Sequence, residues 1–244
     1  MTAPATLLLI ADIAGYTRFM KMHDTSLAHA QQIIATLLEA VIDAAEPSLK
    51  LAKLEGDAAF FYMPAPADPK TAEALIEART AAIYRAFHAT AADMKANTLC
   101  PCDGCQQVGN LKIKLVGHAG PGVAVQKVKR LTELAGVDVI LVHRMLKNDV
   151  PVAEYLLVTK PVHAMLGEDM QGRASAFELA LEDLGPTDAY YLDLADCIAP
   201  VPPARKRSAL ARVGGLLRFE MKNLPYTLRL RKACEGYRNV PDAN

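Results

Sequence analysis

Leu7-Leu8-Leu9-Ile10-Ala11-Asp12-Ile13-Ala14-Gly15-Tyr16-Thr17-Arg18 reads as a buried strand that ends in a carboxylate. A short, continuous apolar run closed by a glycine fits a strand covered on both faces. Asp12 is the first charged residue in it. An isolated Asp among Leu and Ile carries a desolvation cost unless it is hydrogen-bonded, paired or bound to a cation. Taken singly, Asp12 fits a turn cap or a partner for Arg18. A second carboxylate stands in a matching context, Asp57 in Lys53-Leu54-Glu55-Gly56-Asp57.

Working outward, Thr25 or Ser26 is a suitable N-cap for a helix whose apolar residues, from Leu27 through Ile33, Ile34, Leu37, Leu38 and Val41 to Ile42, recur at helical spacing and stop near Pro47. Leu49 to Met63 forms two strand-like runs about Glu55-Gly56, a hairpin in which Gly supplies the positive backbone angle. Asp68-Pro69 opens a long alanine-rich helix over 70–96. Leu111 to Val116 alternates apolar with basic residues and leads as a strand to His118-Ala119-Gly120, with His118 read as a core histidine. Residues 137–148 read as a helix, and 154–159, 176–181 and 189–196 as further strands.

The chain has 244 residues, 52% of them apolar and 22% charged, the balance of a globular protein with a sizeable core. No apolar run approaches the roughly 18 residues of a transmembrane helix, and the N-terminal run lacks the basic start of a signal peptide. A cytoplasmic location is expected. The net charge is zero but unevenly placed, since residues 205–244 hold 10 Lys and Arg against 3 Asp and Glu. The tail is therefore +7 and the body −7. With Pro200 to Pro203 as a break, the tail reads as basic amphipathic helices split at Pro225. Peripheral contact with a membrane is one use for such a helix; packing on the acidic body of its own or a partner chain is the reading preferred here. Sparse aromatics and the lack of Trp speak against nucleic-acid binding.

Five cysteines, three of them clustered, fit a reducing compartment rather than a disulfide framework. Cys100-Pro101-Cys102-Asp103-Gly104-Cys105 is a knuckle whose three thiolates suit Zn²⁺, with Cys197, Cys234, a His or a partner chain as the fourth ligand. Three reduced cysteines in an insertion at 98–107 is the plainer alternative. A zinc-dependent interaction module is the functional reading that would follow from the knuckle.

Asp12-Ile13-Ala14-Gly15-Tyr16-Thr17 resembles the Asp-Ile-x-Gly-Phe-Thr opening of class III adenylate and guanylate cyclase catalytic domains, and Lys53-x-x-Gly56-Asp57 resembles their Lys-x-x-Gly-Asp hairpin. Weaker matches follow at Gly117 to Gly120 and at Gly136 to Arg144, in the family's order. The resemblance covers residues 5 to about 160. It implies an α+β fold, a ferredoxin-like βαββαβ core of nucleotidyl-cyclase type over 1–200 with extra strands, followed by a C-terminal helical appendage over 201–244.

In that arrangement the hairpin lies beside the first strand, so Asp12 and Asp57 approach each other. Adjacent carboxylates repel unless a cation lies between them, and hard divalent ions suit oxygen ligands. The resemblance implies two Mg²⁺ or Mn²⁺ held by Asp12 and Asp57 with the carbonyl of Ile13. It implies further that Lys53 and Glu133 read the base of ATP or another nucleoside triphosphate, and that Arg144 neutralises phosphate charge from the other subunit of a homodimer. One position departs from the pattern: Ile140 replaces the family's Asn, which would orient the reacting phosphate. The activity implied is conversion of ATP to cyclic AMP and pyrophosphate; the alternative is a catalytically silent cyclase-like domain that binds a nucleotide or a partner.

Overall fold

The computed structural model describes residues 4–21, 27–100, 103–129, 131–181, 184–215, 217 and 221. Strand β1 (Thr6–Ala14) leads into a short helix α1 (Tyr16–Lys21) and then α2 (Leu27–Ala45). The hairpin β2 (Lys50–Glu55) and β3 (Ala58–Pro64) precedes the long helix α3 (Pro69–Asn97). After α4 (Asp103–Gln107) comes β4 (Lys112–Gly120), then a small separate hairpin, β5 (Ala124–Val128) and β6 (Leu131–Ala135), and helix α5 (Val137–Arg144). The chain closes with β7 (Tyr155–Thr159), α6 (Lys160–His163), α7 (Glu168–Arg173), β8 (Ser175–Leu181), β9 (Gly185–Asp193) and α8 (Leu194–Cys197). The proposed caps Thr25 and Ser26 lie outside the described residues.

The main sheet has the order β2-β3-β1-β4-β7-β9-β8, with β1 in its interior, antiparallel to both neighbours. This is the expected βαββαβ core extended by three strands, β7, β9 and β8. Period-two alternation along β1 explains why its sequence is apolar throughout. Leu7, Leu9, Ala11 and Ile13 pack under α2 and α3, against Ile33, Leu37, Ile83 and Phe87. Leu8 and Ile10 face the other way, toward Phe60, Val139, Val142 and Tyr155. Asp12 follows in the same alternation, so it belongs to the face that α5 covers.

Local chemistry sets the element ends. The Asp68 carboxylate accepts from the Thr71 backbone N–H at 2.8 Å, capping α3 one residue before Pro69. Gly56 adopts φ 66 in the turn that presents Asp57. Gly136, at φ 132, enters α5 where a Cβ would collide with the Gly122 carbonyl.

Three boundaries differ from expectation. Helix α5 ends at Arg144 rather than at 148, because the Asn148 side chain donates to the Met145 carbonyl at 2.7 Å and accepts from the Tyr155 hydroxyl at 2.9 Å, holding an irregular turn. Strand β9 begins earlier, at Gly185, and stops at Asp193, whose carboxylate accepts from Ala195 N–H and starts α8. The β5–β6 hairpin was not foreseen; its two short strands pair only with each other.

A buried charge cluster ties the far side of the sheet together. The Glu154 carboxylate meets His88 Nε2 at 2.7 Å, Lys112 Nζ at 3.2 Å and the Ile113 backbone N–H at 3.1 Å. Burial alone would raise its pKa, but the His88 contact, the Ile113 N–H and Lys112 outweigh that and hold it below the usual carboxylate range. The cluster links α3, β4 and β7 and thereby fixes the strand that carries Lys114.

Candidate functional site

At the end of β1, Asp12 is flanked by Ala58 of β3 and Lys114 of β4. The hairpin turn brings Asp57 next to it, and the Ile13 backbone N–H donates to the Asp57 carbonyl at 3.2 Å. Ile13 buries its side chain completely, so only its backbone is available to a ligand. Burial and the neighbouring Asp57 push the Asp12 pKa up to about 6, against the pull of Lys114. Burial likewise raises Asp57, opposed by a backbone hydrogen bond. Two half-buried carboxylates, both pushed up by burial and Asp12 further by Asp57, make a donor set that a hard divalent cation would satisfy. The residues present therefore fit such an ion.

A stability prediction follows from the sign of the Asp12 shift. Its folded pKa lies above the ordinary 3.8, so the folded state favours the protonated form; that contribution is complete below about pH 3.8 and is lost as pH rises through about 6. In metal-free protein at about pH 8, Asp12→Asn should therefore stabilise the fold by on the order of 1–2 kcal/mol, after discounting for solvent screening. At about pH 4 the gain should vanish. Thermal melts with a chelator at the two pH values measure this.

Lys53 and Glu55 project from the same face of β2, and their side chains meet at 2.7 Å. Glu55 also touches His143 Nε2 of α5 at 2.9 Å, while His143 Nδ1 donates to the Val139 carbonyl at 2.7 Å and its ring packs edge-on against Phe60. Burial would raise Glu55, but the hydrogen bond from Lys53 and the charge and hydrogen bond of His143 bring it below the usual range. The base-reading candidate Lys53 is thus positioned by Glu55, and the hairpin is tied to α5. Glu133 sits on β6 opposite Gln126, and β6 approaches β2. Arg144 is the last residue of α5 and is half-buried. Ile140, on the same helix, is 51% exposed.

His118 is buried, as expected of a core histidine. Its Nδ1 lies 2.8 Å from Thr159 Oγ1, whereas Nε2 is 3.3 Å from Asp138 Oδ1 without hydrogen-bond alignment. Asp138 is itself fixed by the Gly122 N–H at 2.6 Å, so the pair buttresses the entry to α5.

The zinc reading of Cys100, Cys102 and Cys105 draws no support from the structure. Cys102 lies outside the described residues, and Cys105 sits on α4 packed against the core beneath α2 and α3. The suggested fourth ligand Cys197 faces Arg173 instead. Among the described residues no three His, Cys, Asp or Glu side chains converge as a metal cage.

Sequence reading missed Lys114, Glu55 and His143. The basic alternation in Leu111 to Val116 was visible, but only strand register puts Lys114 opposite Asp12. No spacing signal joins Glu55 to His143, which lies on a different element.

The fold is that of the cyclase-type α+β domain. Solved structures of similar fold include the adenylyl cyclase CyaB from Pseudomonas aeruginosa, with 13% identity, 83% of this chain and 97% of that chain covered, and a TM-score of 0.53. A class III adenylyl cyclase-like ATP-binding protein from the same organism shares 15% identity over 70% of this chain and 36% of its own length, with a TM-score of 0.54. At such identities the likeness establishes the fold alone. In sequence, residues 34–155 match the family described as Protein of unknown function (DUF2652), and the chain belongs to that family. The Mycobacterium tuberculosis protein described as Uncharacterized protein Rv2561/Rv2562 is 44% identical over 207 residues, spanning 85% of this chain and 94% of that protein. No described helix is long and apolar enough to cross a membrane.

Proposed function

We propose that this chain is a class III nucleotidyl cyclase that converts ATP, or another nucleoside triphosphate, to the cyclic monophosphate and pyrophosphate. The observation that carries the reading is the juxtaposition of Asp12 and Asp57, both with raised pKa values, at one end of the sheet. Asp12, Asp57 and the Ile13 carbonyl would hold two Mg²⁺ or Mn²⁺, which when bound supply charge neutralisation at the attacking and leaving oxygens. In the reaction the ribose 3′ oxygen loses its proton to solvent and bonds to the α-phosphorus, while the bond from that phosphorus to the pyrophosphate oxygen breaks.

The protein's own contribution is positioning and charge. Lys53, steered by Glu55, and Glu133 would contact the base. Arg144 would neutralise charge developing on the phosphates. Because Arg144 would serve the partner's carboxylate pair, the enzyme is a homodimer. Exposed Leu54 on β2, Val125 on β5 and Val137 and Ile140 on α5 lie on adjoining elements and supply an apolar surface for that pairing. The cyclase domain runs to about residue 200, and 201–244 is a separate basic appendage.

A second reading rests on Ile140, which offers no hydrogen bond where the family's Asn would orient the phosphate: a silent cyclase-like domain that binds nucleotide without turning it over. Incubating the protein with ATP, GTP, CTP and UTP in turn, with Mn²⁺, separates the two. The cyclase reading expects one cyclic product with equimolar pyrophosphate by mass spectrometry. Nucleotide binding without product from any of the four would favour the silent domain.

A further inference from the structure

Beyond α8 the chain returns to the C-terminal end of α3 and is anchored there. Asn97 Nδ2 donates to the Arg205 carbonyl at 3.2 Å, the Arg207 backbone N–H donates to Asn97 Oδ1 at 2.7 Å, and the Arg207 guanidinium donates to the Asp93 carboxylate at 2.7 Å. Arg212 donates to the Thr98 carbonyl at 3.2 Å. Ser208 Oγ accepts from the Ala211 N–H at 3.3 Å, and the chain is helical over 209–215 and again at 217 and 221.

The preferred expectation was that this tail packs on the acidic body of its own or a partner chain. The described part is tied to its own chain through Arg205, Arg207 and Arg212, the Arg207 contact being to an acidic residue, but its apolar side chains stay uncovered. Leu210 is 86% exposed, Val213 46%, Leu217 58% and Met221 68%. Their spacing of three, four and four residues sets them on one helical stripe. Arg205, Lys206 and Arg207 are exposed at its root. In sequence, the continuation alternates Leu228 and Leu230 with Arg229, Arg231 and Lys232.

We propose that this helix lays its apolar stripe on the surface of a bilayer rich in anionic phospholipid, a choice of occupant that rests on the dimer surface of the proposed function. Charge selects this occupant over others. Residues 205–244 carry 10 basic and 3 acidic residues, so two such helices from two copies repel each other rather than pair. The acidic body of a second copy would answer the charge. However, of the large apolar side chains that the described body leaves exposed, Leu54, Val125, Val137 and Ile140 belong to the dimer surface of the proposed function, which leaves Leu99 alone to meet the stripe. An anionic bilayer answers the apolar stripe and the positive charge together. The anchors to Asp93, Asn97 and Thr98 hold the root of the helix against the domain, so the domain docks with a defined face.

The test is co-sedimentation of the full chain with vesicles of equal phosphatidylcholine and phosphatidylglycerol, compared with phosphatidylcholine alone, at low and high salt. The expected result is pelleting with the anionic vesicles only, weakened by salt. The double variant Leu210→Glu, Leu217→Glu should lower that binding roughly tenfold or more, with circular dichroism and melting unchanged because both side chains are exposed. Equal pelleting with neutral vesicles, no pelleting at low salt, or full binding by the folded variant would each overturn the proposal. So would dissociation of a self-associated species in that variant during sedimentation velocity, which would identify a second copy as the occupant.

Discussion

Asp57→Asn should lower cyclic nucleotide formation by roughly 10²–10³-fold, the scale of losing one group that stabilises developing charge at the reacting centre. The change is nearly isosteric and sits in the turn after Gly56, where the backbone contact from Ile13 N–H to the Asp57 carbonyl is untouched. Folding should therefore survive. The loss arises because the amide removes negative charge from one of the two oxygen donors, leaving Asp12 alone beside Lys114. A rate assay with circular dichroism on the same preparation measures it. Activity within twofold of wild type in a folded variant would remove the carboxylate pair from the mechanism.

The second large effect is gained rather than lost. If each site takes its carboxylates from one subunit and its arginine from the other, Asp57→Asn and Arg144→Ala should each be inactive alone. Mixed and allowed to exchange subunits, they form heterodimers in which one site carries both lesions and the other carries none. Activity should then recover to about one quarter of wild type, as random exchange in a symmetric dimer requires. A mixture as dead as its parents, with exchange shown by labelled subunits, would mean that one and the same subunit supplies both Asp57 and Arg144 to a site. The geometry gives this a structural basis: α5 and the β2–β3 hairpin of one chain are joined through Glu55 and His143, so the elements that would serve opposite sites move as one body.

Much of this was legible in the sequence because the relevant signals are local. Alternation and the Gly15 stop defined β1, Asp68-Pro69 defined the start of α3, and Glu55-Gly56 defined the turn that presents Asp57. The approach of Asp12 to Asp57 was legible through the βαββαβ pattern, which sets the hairpin beside the first strand. What escaped depends on cross-strand register or on contacts between distant elements. Lys114 stands opposite Asp12 only because β4 pairs with β1 in that register. Glu55 meets His143 across 88 residues of chain. The β5–β6 hairpin carries too short an alternation to stand out, and α5 was overextended because the side-chain bonds of Asn148 that shape the turn after it are invisible to periodicity. Of the cysteine knuckle only Cys100 and Cys105 are described, Cys105 on the short helix α4, and spacing alone does not fix a metal site.

Whether Asp12 and Asp57 form a divalent-cation site for a bound nucleotide can be read from the free Mn²⁺ signal in electron paramagnetic resonance. Mn²⁺ is titrated into the full chain in the presence of 3′-deoxy-ATP, which lacks the attacking hydroxyl and is not consumed. The expected result is uptake of about two Mn²⁺ per nucleotide site, lost in the double variant Asp12→Asn, Asp57→Asn. Equal uptake by wild type and the double variant, or none by either, would contradict it.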